Sequence, residues 1–503
     1  MRSSKHLILT ILCGLVFSFL YYQSYPGINI LIFDVLLILT SIVLFPKNIF
    51  NPLRLITAGS MLMLGVAFTI TAQGWTLFVH FIVFVAFSGA LAAGKVQSMV
   101  TIVKLGIFNL PLSCIKFITD LKNPEVLPSP KLQRLIRHAY YVVPAVVIIA
   151  FIYLYQASNP IFEGYVASVT SSISSIFNSF FEMLNWQWIG TFVLGLAISI
   201  YAFVHFAPQQ WLDQDANTSQ ILKRVKHKLE SGNGVRGFKN EWRSGIFLLA
   251  TLNVLIAFVN AIDIYYVWFN FSWTGEYLRQ FVHEGTYLLL LSILISIAIV
   301  LYFFRGNLNF YRQNKWMRWL CYGWIAQNGI MTISVLIRNL HYIDNFALAG
   351  KRIGVLFFLA LVLFGLATVA YKVWKKQTFW YLLRWNSLAA FVVLVWSAIP
   401  NWNHIIIDYN FAHAEDSFLH LDYLASFDNE SIPYLDVSLE ELKRLEVIQK
   451  QKFPFEESYM TPEVYIQEIE YKKTALNQTL AETNWKEWTL AQQKAADYLD
   501  GEV

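Results

Sequence analysis

Residues 244–268 read SGIFLLATLNVLIAFVNAIDIYYVW, a run with one carboxylate, Asp263, and no lysine or arginine. A membrane span needs about 20 predominantly apolar residues, so this stretch is read as a spanning helix. Ten further runs of the same kind lie at 7–22, 28–45, 53–72, 75–93, 139–157, 186–206, 285–304, 320–340, 351–371 and 385–400. Composition agrees. The chain is 56% hydrophobic, 17% aromatic and 14% charged, far more apolar than the core of a soluble protein requires. The expected class is all-α: a polytopic helical membrane bundle of about eleven transmembrane helices, with a small helical C-terminal domain.

Charge sorts the loops. Residues 1–400 carry 30 basic and 13 acidic side chains, and residues 401–503 carry 8 and 20. Of the 30 basic residues, 26 fall on one side if every run spans, and basic loops stay on the cytoplasmic side. The N-terminus is therefore expected inside, and an odd number of spans places the acidic tail outside. A twelfth span within 95–118 is discounted because Lys95, Lys104 and Lys116 interrupt it and Pro111 breaks a helical pattern. The opening MRSSKH and the apolar run after it lack a small-residue cleavage site, so an uncleaved first helix is expected. Three cysteines, none of them in the tail, support neither a disulfide framework nor a cysteine-based zinc site.

The chain divides into four hairpin-linked helices (1–94), a basic interfacial segment (95–138), a seven-helix region (139–400) and the acidic helical tail (401–503). Within 139–400, residues 161–185 form an amphipathic pattern expected on the outer surface, and 207–243 an inner loop. The small-residue run Ser88–Gly94 is expected to pack closely on a neighbouring helix.

Polar residues inside the runs are costly and so informative. Asn253, Asn260 and Asp263 share one helix face; Gln327, Asn328, Ser334, Arg338 and His341 form a stripe; His283, Glu284, Lys351 and Arg352 sit at span ends. An outward-facing pocket is expected, with Asp263, Asn260, Glu284, Arg338, Tyr342 and Arg352 as candidate ligand-binding residues. Arg338 and Arg352 would hold an anionic group, since a guanidinium fork bonds two anionic oxygens at once. The competing structural reading makes these charges helix ties or snorkelling side chains. Asp34 lies within an apolar run without an aligned polar companion.

No metal-binding spacing, phosphate loop, dinucleotide fingerprint or catalytic constellation is present, so no cofactor, metal or catalytic residue is assigned and nothing points to nucleic acid. The leading reading is a carrier or lipid-handling protein for an anionic lipid or small anionic solute. Its rivals are a scaffold or sensor whose tail meets a protein partner, and a membrane enzyme with Asp263 or Glu284 as general base.

Ile337-Arg338-Asn339-Leu340-His341-Tyr342, then Lys351-Arg352-Ile353-Gly354-Val355, resembles the Arg-x-x-x-Tyr, Tyr-Gly-Leu-Thr, Arg pattern of uncharacterised bacterial multi-pass membrane proteins grouped as domains of unknown function 4153 and 4173. Asn403–Asn410, Leu421–Ser426 and Ile432-Pro433-Tyr434-Leu435 are similar to that family's ending. The resemblance covers most of residues 30–435. It implies a bacterial inner-membrane address, no established activity, and Arg338, Tyr342 and Arg352 as motif residues. This chain has Phe346-Ala347-Leu348-Ala349 where the family tends to show Tyr-Gly-Leu-Thr.

Overall fold

The computed structural model describes residues 3–46, 49–94, 96–123, 125–126, 185–224, 232–271, 276–311, 313–454 and 460–501, with isolated positions between 144 and 166. All of its regular structure is helical. Helices α1 (Ser4–Tyr21), α2 (Ile28–Leu44), α3 (Pro52–Thr71) and α4 (Gly74–Ala93) run up and down. Their ends follow local chemistry. Asn51 accepts the Leu53 amide ahead of a helix with proline in its first turn, and Ala72 closes α3 in the left-handed region at φ 53°. We call the end of the bundle that holds Ser4 the near end, and the opposite one the far end. At the near end Asn51 donates to Gly94 O at 2.6 Å, and Arg54 donates to Phe45 O at 2.8 Å.

The next helix, α5 (Met99–Asp120), is long and apolar and runs straight through Pro111. The three lysines and the proline therefore do not stop a helix there. Proline forfeits one backbone bond, and close packing offsets the loss: a Cβ on Gly89 would lie 2.0 Å from Ile102 O, and one on Gly106 would lie 2.2 Å from Val85 O. This is the close neighbour expected for the run Ser88–Gly94. Asn109 bonds both the amide of Phe206 (2.7 Å) and its carbonyl (3.0 Å). Despite its length α5 does not carry the chain across. It starts just after α4 ends, and beyond its last turn the Ser4 hydroxyl donates to Glu125 O at 3.2 Å. Phe117 and Leu121 pack on Leu7 and Val126. Both ends of α5 are thus tied to the near end.

At the far end Asn185 meets the Tyr22 hydroxyl. Helix α6 (Trp186–Phe203) returns antiparallel to α1: Ser18 donates to Trp188 O, and His6 meets Phe203 O at 3.1 Å. Helix α7 (Gln209–Asn217) lies at the near end. There the buried Asp215 accepts from Gln97 N and Thr101 Oγ1, while Arg384 donates to its backbone carbonyl. Then α8 (Gly232–Asp263), prolonged by a π-helical stretch Ile264–Phe269, α9 (Glu276–Phe303), α10 (Lys315–Phe346), α11 (Gly350–Lys375) and α12 (Phe379–Ser397) complete the bundle. Ten of the eleven apolar runs are helices; 139–157 falls largely, and 161–185 almost wholly, outside the described residues. Among the described residues nine helices, α5 included, are long and apolar enough to cross a membrane. The protein is a multi-pass membrane protein.

Apolar side chains gather in two membrane cores. One unites α1–α6 with Phe391 and Val395 of α12; the other unites α8–α11 with Leu382. A third cluster, including Leu424, Leu435, Leu442 and Tyr465, lies in the tail. The tail helices are α13 (Trp402–Ala412), α14 (Leu421–Ala425), α15 (Ile432–Leu435), α16 (Leu439–Lys452), α17 (Pro462–Glu482) and α18 (Leu490–Leu499). They rest on the far end of the bundle. Phe418 N donates to Asn345 O at 2.8 Å, Leu348 N to Asn410 Oδ1 at 2.7 Å, and Asn484 Nδ2 to Ser24 Oγ at 2.9 Å. Gly27 permits the closest approach, since a Cβ there would lie 2.2 Å from Glu487 O.

Candidate functional site

Helix α8 presents its polar face to α10. Gln327 donates to Asn253 Oδ1 at 2.7 Å, Asn260 to Gln327 O at 3.0 Å, and Arg338 to the Asp263 carboxylate. The Asp263 and Arg338 side chains are 7% and 6% exposed. The ladder continues into the π-helical turn, where Trp268 Nε1 donates to Ser334 Oγ at 3.0 Å and Val267 O meets His341. Asp263 Oδ2 and Asn260 Oδ1 have no hydrogen-bond partner among the described residues.

Tyr342 lies one turn along α10 from Arg338, and Arg352 of α11 is engaged by the α10–α11 joint. Its guanidinium lies 4.3 Å from the centre of the Tyr342 ring and donates to Phe346 O at 2.6 Å and to Ala347 O. Ala347 has φ 62° and ψ −170°, a region that favours glycine. The Arg352 guanidinium closes directly on this residue's carbonyl. The structure therefore joins Asp263 to Arg338, sets Asn260 beside them and stacks Tyr342 under Arg352. Glu284 lies in α9, with its side chain outside the described residues.

The large cavity is elsewhere, and none of these six residues lines it. It measures ≈ 920 Å³ and opens between α4, α11 and α12 beneath the tail. Its walls are apolar: Ile353, Phe357 and Leu361 of α11 face Ala390, Val393 and Leu394 of α12. Spacings of three and four place each set on one helix face. Glycine makes the room. Gly74, Gly350 and Gly354 all line the space, and a Cβ on any of them would meet nothing within 4 Å. Polar groups collect at the far end. Gly350 N donates to the Tyr423 hydroxyl at 3.2 Å, Asn403 Nδ2 donates to Asp428 Oδ2 at 3.0 Å, and Gln73 meets Asn401 at 2.6 Å.

Sequence reasoning missed this cavity because its signal is an absence of side chains. It also missed the partner of Asp34. His80 Nε2 lies 2.7 Å from Asp34 Oδ2, with side-chain exposures of 13% and 3%. The signal was equal depth: Asp34 and His80 each sit six residues past the start of helices that run the same way. Among the described residues no group of three His, Cys, Asp or Glu side chains is placed to hold a metal ion.

The model for a domain of unknown function (DUF4153) matches residues 58–437, from within α3 to just past α15, and so takes in both the cavity and the Asp263–Arg338 pair. No curated protein and no solved structure matches the chain. This chain belongs to the DUF4153 family.

Proposed function

We propose that the protein binds a membrane lipid, with hydrocarbon in the cavity between α4, α11 and α12 and the headgroup among Gln73, Asn403, Tyr423 and Asp428. The observation that carries this is the ≈ 920 Å³ space walled by apolar side chains and closed at one end by polar ones. Ligand sites of this size pair an apolar lining with a few polar groups that fix orientation. An anionic solute held by Arg338 and Arg352 is less well supported, because both guanidiniums are engaged by protein acceptors. We assign the Asp263–Arg338 pair to holding α8 against α10.

Gly354→Trp tests the reading. The indole enters open space, so the variant should keep its melting temperature and lose co-purified lipid by native mass spectrometry, while Gly354→Ala keeps both. Unchanged lipid in the tryptophan variant would sink the proposal. The charge asymmetry further supports an orientation with the near end in the cytoplasm and the tail outside, and the family resemblance implies a bacterial inner membrane. A cysteine introduced at Gly501 should then react with a membrane-impermeant reagent in intact cells, and protection there would reverse the orientation.

A further inference from the structure

A second cavity, ≈ 630 Å³, lies on the near-end side of the first and shares Ala390 and Leu394 with it. Its walls are Ile82 of α4, Val103 and Ile107 of α5 and Phe391 of α12. Among the described residues that line it Lys104 is the only charged one, and it makes no ion pair. The Lys104 ammonium sits 3.7 Å from the centre of the Trp211 ring, and Phe108 closes on that indole edge-on at 4.8 Å. Asp215 of α7 is buried and engaged by Gln97 N, Thr101 and the Arg384 side chain. Lys104 itself is exposed and faces an indole. Tryptophan and lysine at a span end mark the headgroup level of a bilayer, and α5 holds both of its ends at that level.

We propose that this cavity is a second lipid site, distinct from the far-end one and selective for an anionic glycerophospholipid: acyl chains between α4, α5 and α12, phosphate on Lys104. The hydrocarbon source is the bilayer around the helices, and the charge at the mouth selects the headgroup. The site does not depend on occupancy of the far-end cavity, so the two readings fail separately.

The test uses the full chain in nanodiscs of equal parts phosphatidylglycerol and phosphatidylcholine, with retained lipid identified by native mass spectrometry. Phosphatidylglycerol should be enriched about fivefold, the worth of one lysine at an anionic surface. Lys104→Gln should bring the ratio to that of the bulk, Lys104→Arg should keep it, and Ile107→Trp should reduce retained phosphatidylglycerol. Gly354→Trp should leave the enrichment intact. Enrichment that survives Lys104→Gln overturns the proposal. So does inorganic phosphate alone raising the melting temperature as much as phosphatidylglycerol, which would identify a free anion as the ligand.

Discussion

The two membrane cores each bury a carboxylate, yet they are held together by opposite means. In the α1–α6 half, backbones touch. Gly14 meets Leu196, Gly195 meets Gly14 O, and Gly65 lies so close to Asp34 that a Cβ would fall 2.8 Å from its Oδ2. In the α8–α11 half, side-chain amides and one ion pair span the gap between α8 and α10. Lipid offers no hydrophobic force between helices, so small residues and polar bonds are the two available kinds of adhesive. The buried acids differ accordingly. Asp263 faces the Arg338 guanidinium, whereas Asp34 faces the His80 imidazole. One half is fastened by polar side-chain bonds and an ion pair, the other by the close fit of small residues.

The largest effect should come from breaking the Asp263–Arg338 ion pair. Arg338→Leu leaves Asp263 buried without its partner, and loss of one member of such a pair costs about 3–5 kcal/mol. The melting temperature in detergent should fall sharply, and Asp263→Leu added to it should restore most of the loss. A single variant that melts like the parent would remove the ion pair from the account. The shape-held half should be less sensitive to any one change. Gly106→Ala drives a methyl against the Val85 carbonyl and should cost about 1–3 kcal/mol, the usual range for overpacking. If Gly106→Ala proves the more damaging, the contrast between the halves is wrong.

The legibility of the chain follows the same division. Apolar length and the one-sided cations made the bundle readable, because both are long-range averages over many residues. In the structure Ser4 and the tail lie at opposite ends of the bundle, and α5 keeps both of its ends at the near one. The polar contact between α8 and α10 was legible too: Asn253, Asn260 and Asp263 repeat with helical spacing, and so do Gln327, Ser334 and Arg338. The apolar cavity was not, since glycines at 74, 350 and 354 look like ordinary turn and helix-start residues until three separate elements converge. His80 was passed over for a related reason. Its partner lies on a different helix, and no spacing within one helix reports depth shared between two.

The smallest effect should appear in the tail, which lies outside both membrane cores. His404 of α13 stacks on Tyr434 with ring centres 4.0 Å apart. Burial, reinforced by the Lys494 ammonium, lowers its pKa from 6.5 to about 4. The unfolded chain therefore takes up a proton at a higher pH than the folded tail does. Stability from this group is complete above pH 6.5 and is lost as pH falls from 6.5 towards 4. Glu430 acts with the opposite sign: burial raises its pKa, so acidification relieves a penalty there and partly masks the histidine. The difference between parent and His404→Phe isolates the effect. Amide exchange in α13 and α15 should quicken in the parent relative to the variant between pH 6.5 and 5, after correction for intrinsic rates. Tail exchange with the same pH dependence in both would mean that His404 is not desolvated at the tail interface, and that α13 packs more loosely on α15 than its ring contact implies.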